Sequence, residues 1–429
     1  GHRGCAFERR HKSTWPLALY QSGMSMKTSV VITIFRCFSD QAPARFDFSD
    51  GFTSFIGVNN SGKSTILRFF YEFRTLFYLL GSGNSRTSDR LYDSFTKFSV
   101  PAHDLTSIFH NGNNRPIEVA LSFSSVTEVG GPFDLELKLR IEHGEIPETR
   151  TVELFCFPIL KRSGQPIRSA LEMYEVELAM FVEWLDSLAN TLYIGPFRNA
   201  INLGENASYF DLQTGQAFIA SWRRWKTGGS KADNNSTRRL TDDIRDLFGF
   251  ADLEINASED NTTLQCFVNG QSYLLNELGA GLAEFVIVLA NAATRTPAYI
   301  LIDEPELHLH PALQLKFLTT LGRYARNGVL FSTHSIGLAR TSSERIYALH
   351  LDAVRGYSIV EPYEKAPTLS EMLGELSYSG LHEQGFEQLL LVEGPTEVKT
   401  MLQLLRKYGK DLSTVLVPLG GGSLIRPNV

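Results

Sequence analysis

The eight residues Gly57-Val58-Asn59-Asn60-Ser61-Gly62-Lys63-Ser64 constrain this chain more than any other feature of it. They satisfy the pattern GxxxxGK[ST], and the flanking sequence supplies the context that the pattern needs. Phe52 to Ile56 is an apolar, strand-like run that enters the loop, and a helical pattern from Lys63 to about Leu79 leaves it. A strand–loop–helix unit of this kind turns successive backbone N–H groups toward an anion, and the helix N-terminus adds positive potential. Gly57, Asn59, Asn60, Ser61, Gly62, Lys63, Ser64 and Thr65 are therefore the candidate nucleotide-binding residues. Lys63 is expected to bridge the β- and γ-phosphates of ATP, and the Ser64 hydroxyl to bind Mg²⁺.

A phosphate loop implies an α/β fold with further strand–helix units. Ala298 to Ile302 is apolar, ends at Asp303-Glu304 and leads to a helix near Pro311. Gly328 to Ser332 ends at Thr333-His334 and leads to a helix after Ser335. Such alternation predicts a parallel sheet with helices packed on it. A buried parallel strand presents its C-terminal carboxylates at the ligand-binding edge. Asp303 is the expected second Mg²⁺ ligand beside Ser64, Glu304 the expected general base for an attacking water, and His334 a group for the γ-phosphate. Gly279, Ala280 and Gly281 precede a helix expected from about Leu282 and are candidates for a loop that touches the γ-phosphate of a second subunit.

Between these units, alternating runs from Ile117 to Phe157 predict an antiparallel lobe covering one side of the nucleotide core. Strands are also expected over 29–36, 44–48, 191–194, 252–257 and 263–274. Apolar positions at helical spacing mark 168–190. Residues 81–115 are rich in Ser, Gly, Asn and Asp and predict an irregular insertion, and 222–240 predicts a mobile basic loop.

With 429 residues the chain has room for two or three domains. Residues 1–25 have a basic, Trp- and Pro-containing composition without a signal-peptide core, which predicts a disordered or non-native leader. The boundaries that follow are a head over 26–365, with the insertion 81–115 and a variable lobe over 160–250, a linker over 366–385 and a last unit over 386–429. The net charge of −6 argues against a uniformly basic nucleic-acid binder. Four widely spaced cysteines with no CxxC pair point to a reducing, cytoplasmic setting, and no apolar run has transmembrane length.

Asp303-Glu304-Pro305-Glu306 followed by His308-Leu309-His310-Pro311 resembles the DEPExHLHP run of the OLD and AAA15/AAA21-type ATPases. Tyr193-Ile194-Gly195-Pro196-Phe197-Arg198 resembles a YIGPxR element of the same group. The order of motifs is similar to that of the ABC-type ATPase heads of the RecF, SMC and OLD group over roughly 27–360. The resemblance implies an ABC-type P-loop head that dimerises around ATP and hydrolyses it, with nucleic acid as a macromolecular partner and DNA repair or genome defence as the setting. One departure stands out: Leu278 replaces the usual signature serine.

The tail resembles the opening of a TOPRIM domain, the catalytic module of OLD nucleases, in the run Leu389-Leu390-Leu391-Val392-Glu393-Gly394 and in Glu397. The resemblance makes Glu393 and Glu397 candidate TOPRIM acids, and it calls for a later Asp-x-Asp pair that residues up to Val429 do not contain. The expectation is an incomplete TOPRIM-like segment: an ATPase without nuclease activity of its own, or one served by a nuclease partner in trans. The alternative is a truncated ATP-dependent TOPRIM endonuclease. For nucleic-acid contact the densest basic segment offers Arg223, Arg224, Lys226, Arg238 and Arg239, with Trp222 and Trp225 interleaved for stacking.

Overall fold

The computed structural model describes residues 27–48, 50–81, 96–101, 107–110, 115–127, 131–143, 153–196, 208–306, 309, 311–352, 354–363, 388–392, 395–410 and 414–418. In chain order, β1 (Lys27–Thr33) and β2 (Ala44–Asp47) precede β3 (Gly51–Gly57), which runs through the phosphate loop into α1 (Lys63–Gly81). Strands β4 (Thr96–Ser99), β5 (Ile117–Thr127), β6 (Gly131–His143), β7 (Glu153–Arg162) and β8 (Gln165–Pro166) come next, then α2 (Glu175–Ala189) and β9 (Thr191–Ile194). A short hairpin, β10 (Ser208–Tyr209) and β11 (Leu212–Gln213), leads to α3 (Gly215–Thr227) and α4 (Lys231–Phe248). Strands β12 (Leu253–Ala257), β13 (Leu264–Val268) and β14 (Gln271–Leu274) form a meander before α5 (Gly279–Arg295).

The strand–helix units follow as expected: β15 (Tyr299–Asp303), α6 (Pro311–Gly322), β16 (Gly328–Thr333) and α7 (Ile336–Ser342). Then come β17 (Arg345–Asp352) and β18 (Tyr357–Pro362), and in the tail β19 (Gln388–Val392), α8 (Pro395–Lys407) and β20 (Thr414–Pro418).

Two sheets organise the head. One has the order β18-β17-β3-β16-β15-β9, with β18 alone antiparallel to its neighbour. The other is antiparallel, in the order β2-β1-β5-β6-β7-β4 with β8 on β7. Strands β9, β15 and β16 are buried along their whole length, so they read as near-continuous apolar runs, and alternate residues of β15 serve two different cores. Tyr299 and Leu301 face a core shared with α1, α2 and the antiparallel sheet; Ile300 and Ile302 face a core shared with α3 to α6. The first core is held by α1, whose Phe69, Phe70, Phe73 and Phe77 meet Phe35, Phe48 and one another in edge and tilted contacts. Each phenylalanine buried this completely contributes about 1.5–3 kcal/mol. The helix that carries the phosphate loop is thereby anchored along its length.

Four sequence expectations are corrected. The segment 222–240 is not a loop: it belongs to α3 and α4, which meet at Gly228-Gly229. Its apolar residues lie at helical spacing, Phe218, Ile219 and Trp222 on one helix and Leu240, Ile244 and Leu247 on the next, and the intervening charges hide the period. Ser230 caps α4 by accepting from the Asp233 N–H, and Gly249 ends it in a left-handed conformation. The stretch 81–115 is not wholly irregular, because β4 pairs with β7 there. The first strand stops at Thr33, since Ile34 and Arg36 adopt positive φ and turn the chain. Helix α5 begins at Gly279, three residues before the expected start, so the glycines form its first turn.

The linker expected over 366–385 lies outside the described residues, as does 1–25. Strands β17 and β18, which close one edge of the parallel sheet, went unread in the sequence. No helix among the described residues is long and apolar enough to cross a membrane.

Candidate ATP site

The parallel order places β3 beside β16 and β16 beside β15, so the phosphate loop, His334 and Asp303-Glu304 leave neighbouring strands at one edge. The register pairs Asp303 with Ser332 and Thr333 with Ile56. Residues more than two hundred positions apart are brought within hydrogen-bond distance by this topology alone.

Within the loop, Gly62 has φ +97°, and a Cβ there would meet the Cys37 Sγ at 2.8 Å. Only glycine satisfies both conditions. Asn59 and Asn60 are exposed at the loop tip, Asn60 with φ +62°, and the Thr65 N–H returns to the Gly62 carbonyl. Ser61 is fully buried, and its hydroxyl oxygen has no hydrogen-bond partner among the described residues.

Lys63 is buried at the centre. Its Nζ donates to the carbonyls of Gly57 and Val58, both at 2.9 Å, and lies 3.2 Å from His334 Nε2. Burial pulls its pKa down to about 8, against the opposing pull of the Glu304, Asp303 and Glu306 charges. The Ser64 hydroxyl donates to Asp303 Oδ1 at 2.9 Å, and the Ser332 hydroxyl donates to the same oxygen. Burial raises the Asp303 pKa, with Glu304 adding to the rise, while the two serine hydroxyls and Lys63 hold it down.

Glu304 has φ +54°, an uncommon conformation for a non-glycine residue that costs about 1–3 kcal/mol. Its backbone N–H is held by both the carbonyl and the hydroxyl of Ser332, each at 3.1 Å. The sharp turn brings Glu304 Oε1 to 3.2 Å from His334 Nε2, so that the histidine lies between the lysine and the glutamate. Glu306 accepts from the Thr333 hydroxyl and from the His334 N–H, both at 2.7 Å, through one oxygen; its other oxygen is buried without a partner among the described residues. Burial pushes the Glu306 pKa up. Glu306 and Ser332 were not singled out by sequence reasoning. The DEPE run was a signal for Glu306, whereas nothing local marks Ser332.

Gly279, Ala280 and Gly281 stand in the first turn of α5, after a cap residue, Leu278, whose side chain bonds none of the helix N–H groups. That leaves donors at the helix start for another acceptor. The next turns of α5 line a cleft with Asp303 and Glu304 through Glu284, Phe285 and Val288.

The site residues expected elsewhere fare differently. Trp222 is fully buried and donates to the Ile255 carbonyl, so it cannot stack on a base, and Trp225 packs against the second core. Arg223 donates to the carbonyls of Ser258 and Glu259, and Lys226 donates to the Ile255 carbonyl and to Asn256. Arg224, Arg238 and Arg239 are exposed, Arg224 with one bond to the Ser221 hydroxyl. In the tail, β19 and β20 pair in parallel around α8, and Glu397 is exposed in the first turn of that helix. Glu393 lies outside the described residues, as do His308, His310 and Arg198. Among the described residues no group of three or more His, Cys, Asp or Glu could hold a metal ion. A magnesium ion bound through one or two protein ligands and substrate phosphates needs no such group.

Comparison with known proteins adds the following. Residues 269–340 match AAA_21, described as "AAA domain, putative AbiEii toxin, Type IV TA system". Protein ea59 of Escherichia phage lambda is 30% identical over 186 residues, covering 37% of this chain and 35% of the phage protein. The chain thus matches only about a third of the length of that relative. In outline it is similar to the SMC head domain from Thermotoga maritima (TM-score 0.41, 15% identity, 78% of this chain and 98% of that one). A second likeness is to the Smc head domain with an extended coiled coil from Pyrococcus furiosus, bound to the C-terminal domain of ScpA (TM-score 0.41, 13% identity, 82% and 100%). A further family, AAA_23, described as "AAA domain", matches residues 29–278, more than half of the chain and the part that carries the phosphate loop, so the chain belongs to the AAA-domain family.

Proposed function

We propose that this chain is an ATP-hydrolysing head that closes as a dimer around ATP. The observation that carries this reading is the convergence of Lys63, Ser64, Asp303, Glu304 and His334 in one hydrogen-bonded group at the edge of the parallel sheet. The loop N–H groups and Lys63 would take the β- and γ-phosphates, Lys63 exchanging its bonds to Gly57 and Val58 for phosphate oxygens. The site also fits Mg²⁺: Ser64 and Asp303 offer two hard oxygen ligands already 2.9 Å apart, and the unpartnered Ser61 hydroxyl lies in the same loop. The ion would neutralise charge developing on the phosphates.

Glu304 is the general base in this reading. It takes a proton from a water that attacks the γ-phosphorus, and the bond from that phosphorus to the β–γ bridging oxygen breaks, leaving ADP and phosphate. His334 holds its place between Lys63 and Glu304 because Glu306 fixes its backbone N–H. The first turn of α5 would meet the γ-phosphate bound by the other subunit, using its uncapped N–H groups.

An OLD- or RecF-like role, with nucleic acid or a nuclease as the partner in DNA repair or antiphage defence, extends this proposal from motif resemblance. The exposed Arg238 and Arg239 on α4 support a nucleic-acid partner. The alternative, an ATP-dependent TOPRIM endonuclease, is favoured by the parallel pair β19–β20 around α8 with Glu397 exposed.

The test is Glu304→Gln. This variant should bind Mg²⁺–ATP and lose turnover by about 10²–10⁴. ATP-loaded dimers should accumulate in sedimentation runs. Hydrolysis at the parental rate would remove Glu304 from the role of base.

A further inference from the structure

The hairpin β10–β11 is built against local preference. Its turn residue Phe210 has φ +50°, a conformation that bulky side chains seldom adopt. A two-residue hairpin turn ordinarily places Asn or Gly there. Phe210 is held because its ring meets Tyr193 at 5.0 Å and Tyr71 at 5.7 Å between centroids, both edge-on. Room for the ring exists only because residue 195 is glycine; a Cβ there would come within 2.4 Å of it.

The next residue, Asp211, is buried and receives a fork of two bonds from Arg74 of α1, at 2.9 and 2.5 Å. It also accepts from the Tyr193 N–H of β9 at 2.7 Å. Arg295, in the last turn of α5, lies 3.8 Å from the same carboxylate. Two residues on, the backbone of Gln213 exchanges a pair of bonds with the buried Asn291 of α5, at 2.9 and 3.2 Å. The hairpin is therefore fastened to the phosphate-loop helix on one side and to the helix of the glycine signature on the other. Neither fastening touches the nucleotide-binding residues.

We propose that Asp211 is a positioning residue, and that hairpin 208–213 transmits nucleotide occupancy from α1 to α5. This rests on the ATPase reading above. A phosphate bound at the start of α1 biases the position of that helix; Arg74 carries the bias to Asp211, and Arg295 and Asn291 pass it to α5. The glycine turn is then presented to the second subunit only when the same chain has filled its own loop. Coupling of this kind requires a physical element whose arrangement both sites bias, and the clamped hairpin is one.

The experiment uses the full chain and Asp211→Asn, which keeps the shape of the side chain and removes its charge. Mg²⁺–ATP affinity should stay within about threefold of the parent, while turnover and ATP-driven association fall about tenfold, a size usual for coupling between sites. Hydrogen exchange, measured below the association midpoint, should show ATP-dependent protection of residues 279–295 in the parent and its loss in the variant.

Arg295→Gln combined with Asn291→Ala cuts both α5 contacts and should lose the same protection with Arg74–Asp211 intact; it keeps the test alive if Asp211→Asn does not fold. Retained protection in either folded variant, with only the melting temperature lowered, would make the hairpin a brace and overturn the proposal. Absence of ATP binding by the parent would instead strike the ATPase reading itself.

Discussion

The phosphate-loop site and the basic stretch 222–240 both set charged side chains beside buried aromatic ones, but they satisfy those charges in opposite ways. At the loop, Lys63 makes two bonds to the nearby Gly57 and Val58 carbonyls, and the remaining partners come from distant segments of the chain. Lys63 meets His334, His334 meets Glu304, and Ser64 meets Asp303 only because β3, β15 and β16 lie side by side. In the basic stretch the partners are the adjoining meander. Arg223 and Lys226 bond to backbone carbonyls of β12 and the turn after it, and Trp222 bonds to Ile255. Charges satisfied across a sheet edge stay available to a ligand that offers better partners, as a triphosphate does. Arg223 and Lys226 are structural, because giving up their carbonyl partners would undo the packing of α3 on β12.

The largest expected effect that sharpens this contrast is on stability. Trp222→Ala should cost about 3–5 kcal/mol, the usual loss for a fully buried tryptophan. A denaturant melt checks it, and the folded fraction should bind ATP as before. Loss of nucleic-acid binding without loss of stability would break the contrast.

A smaller effect is expected from Gly281→Asp, which sets a carboxylate in the first turn of α5. Like charges facing each other across an interface cost on the order of several kcal/mol. ATP should then bind each monomer without driving association; sedimentation that finds normal ATP-dependent dimers would remove the signature role from this turn.

The smallest effect belongs to Arg238→Ala with Arg239→Ala, on the exposed face of α4. Stability should change by no more than about 0.5 kcal/mol. If this face tracks a nucleic-acid backbone, the slope of log affinity against log salt should fall by roughly 2, about one unit for each phosphate that an arginine no longer neutralises. An unchanged slope would exclude the face.

How much was legible in the sequence follows from the same contrast. The phosphate loop was readable because strand, loop and helix are contiguous, and each local preference agrees with the motif. Asp303, Glu304 and His334 were readable because each closes an apolar run that has to be a buried strand. Ser332 was not, since its value comes from the register that sets it opposite Asp303. The positive φ of Glu304 was not either, because the bond that stabilises it is made to the next strand. In the basic stretch the capping signals at Ser230 and Gly249 were present, but the density of charge obscured an apolar face only one residue wide per turn. Strands β17 and β18 carry mixed patterns, because β18 closes the sheet and its exposure varies along its length.

The central claim is that one site, centred on Lys63, binds ATP. Calorimetric titration of Mg²⁺–ATP into the parent chain and into Lys63→Ala tests it most directly. Lys63 is the buried cation of the loop, so its removal should weaken binding by about 10²-fold or more, the equivalent of roughly 3 kcal/mol of charge-assisted hydrogen bonding. Equal affinity of the two proteins, or no heat of binding in either, would contradict the account.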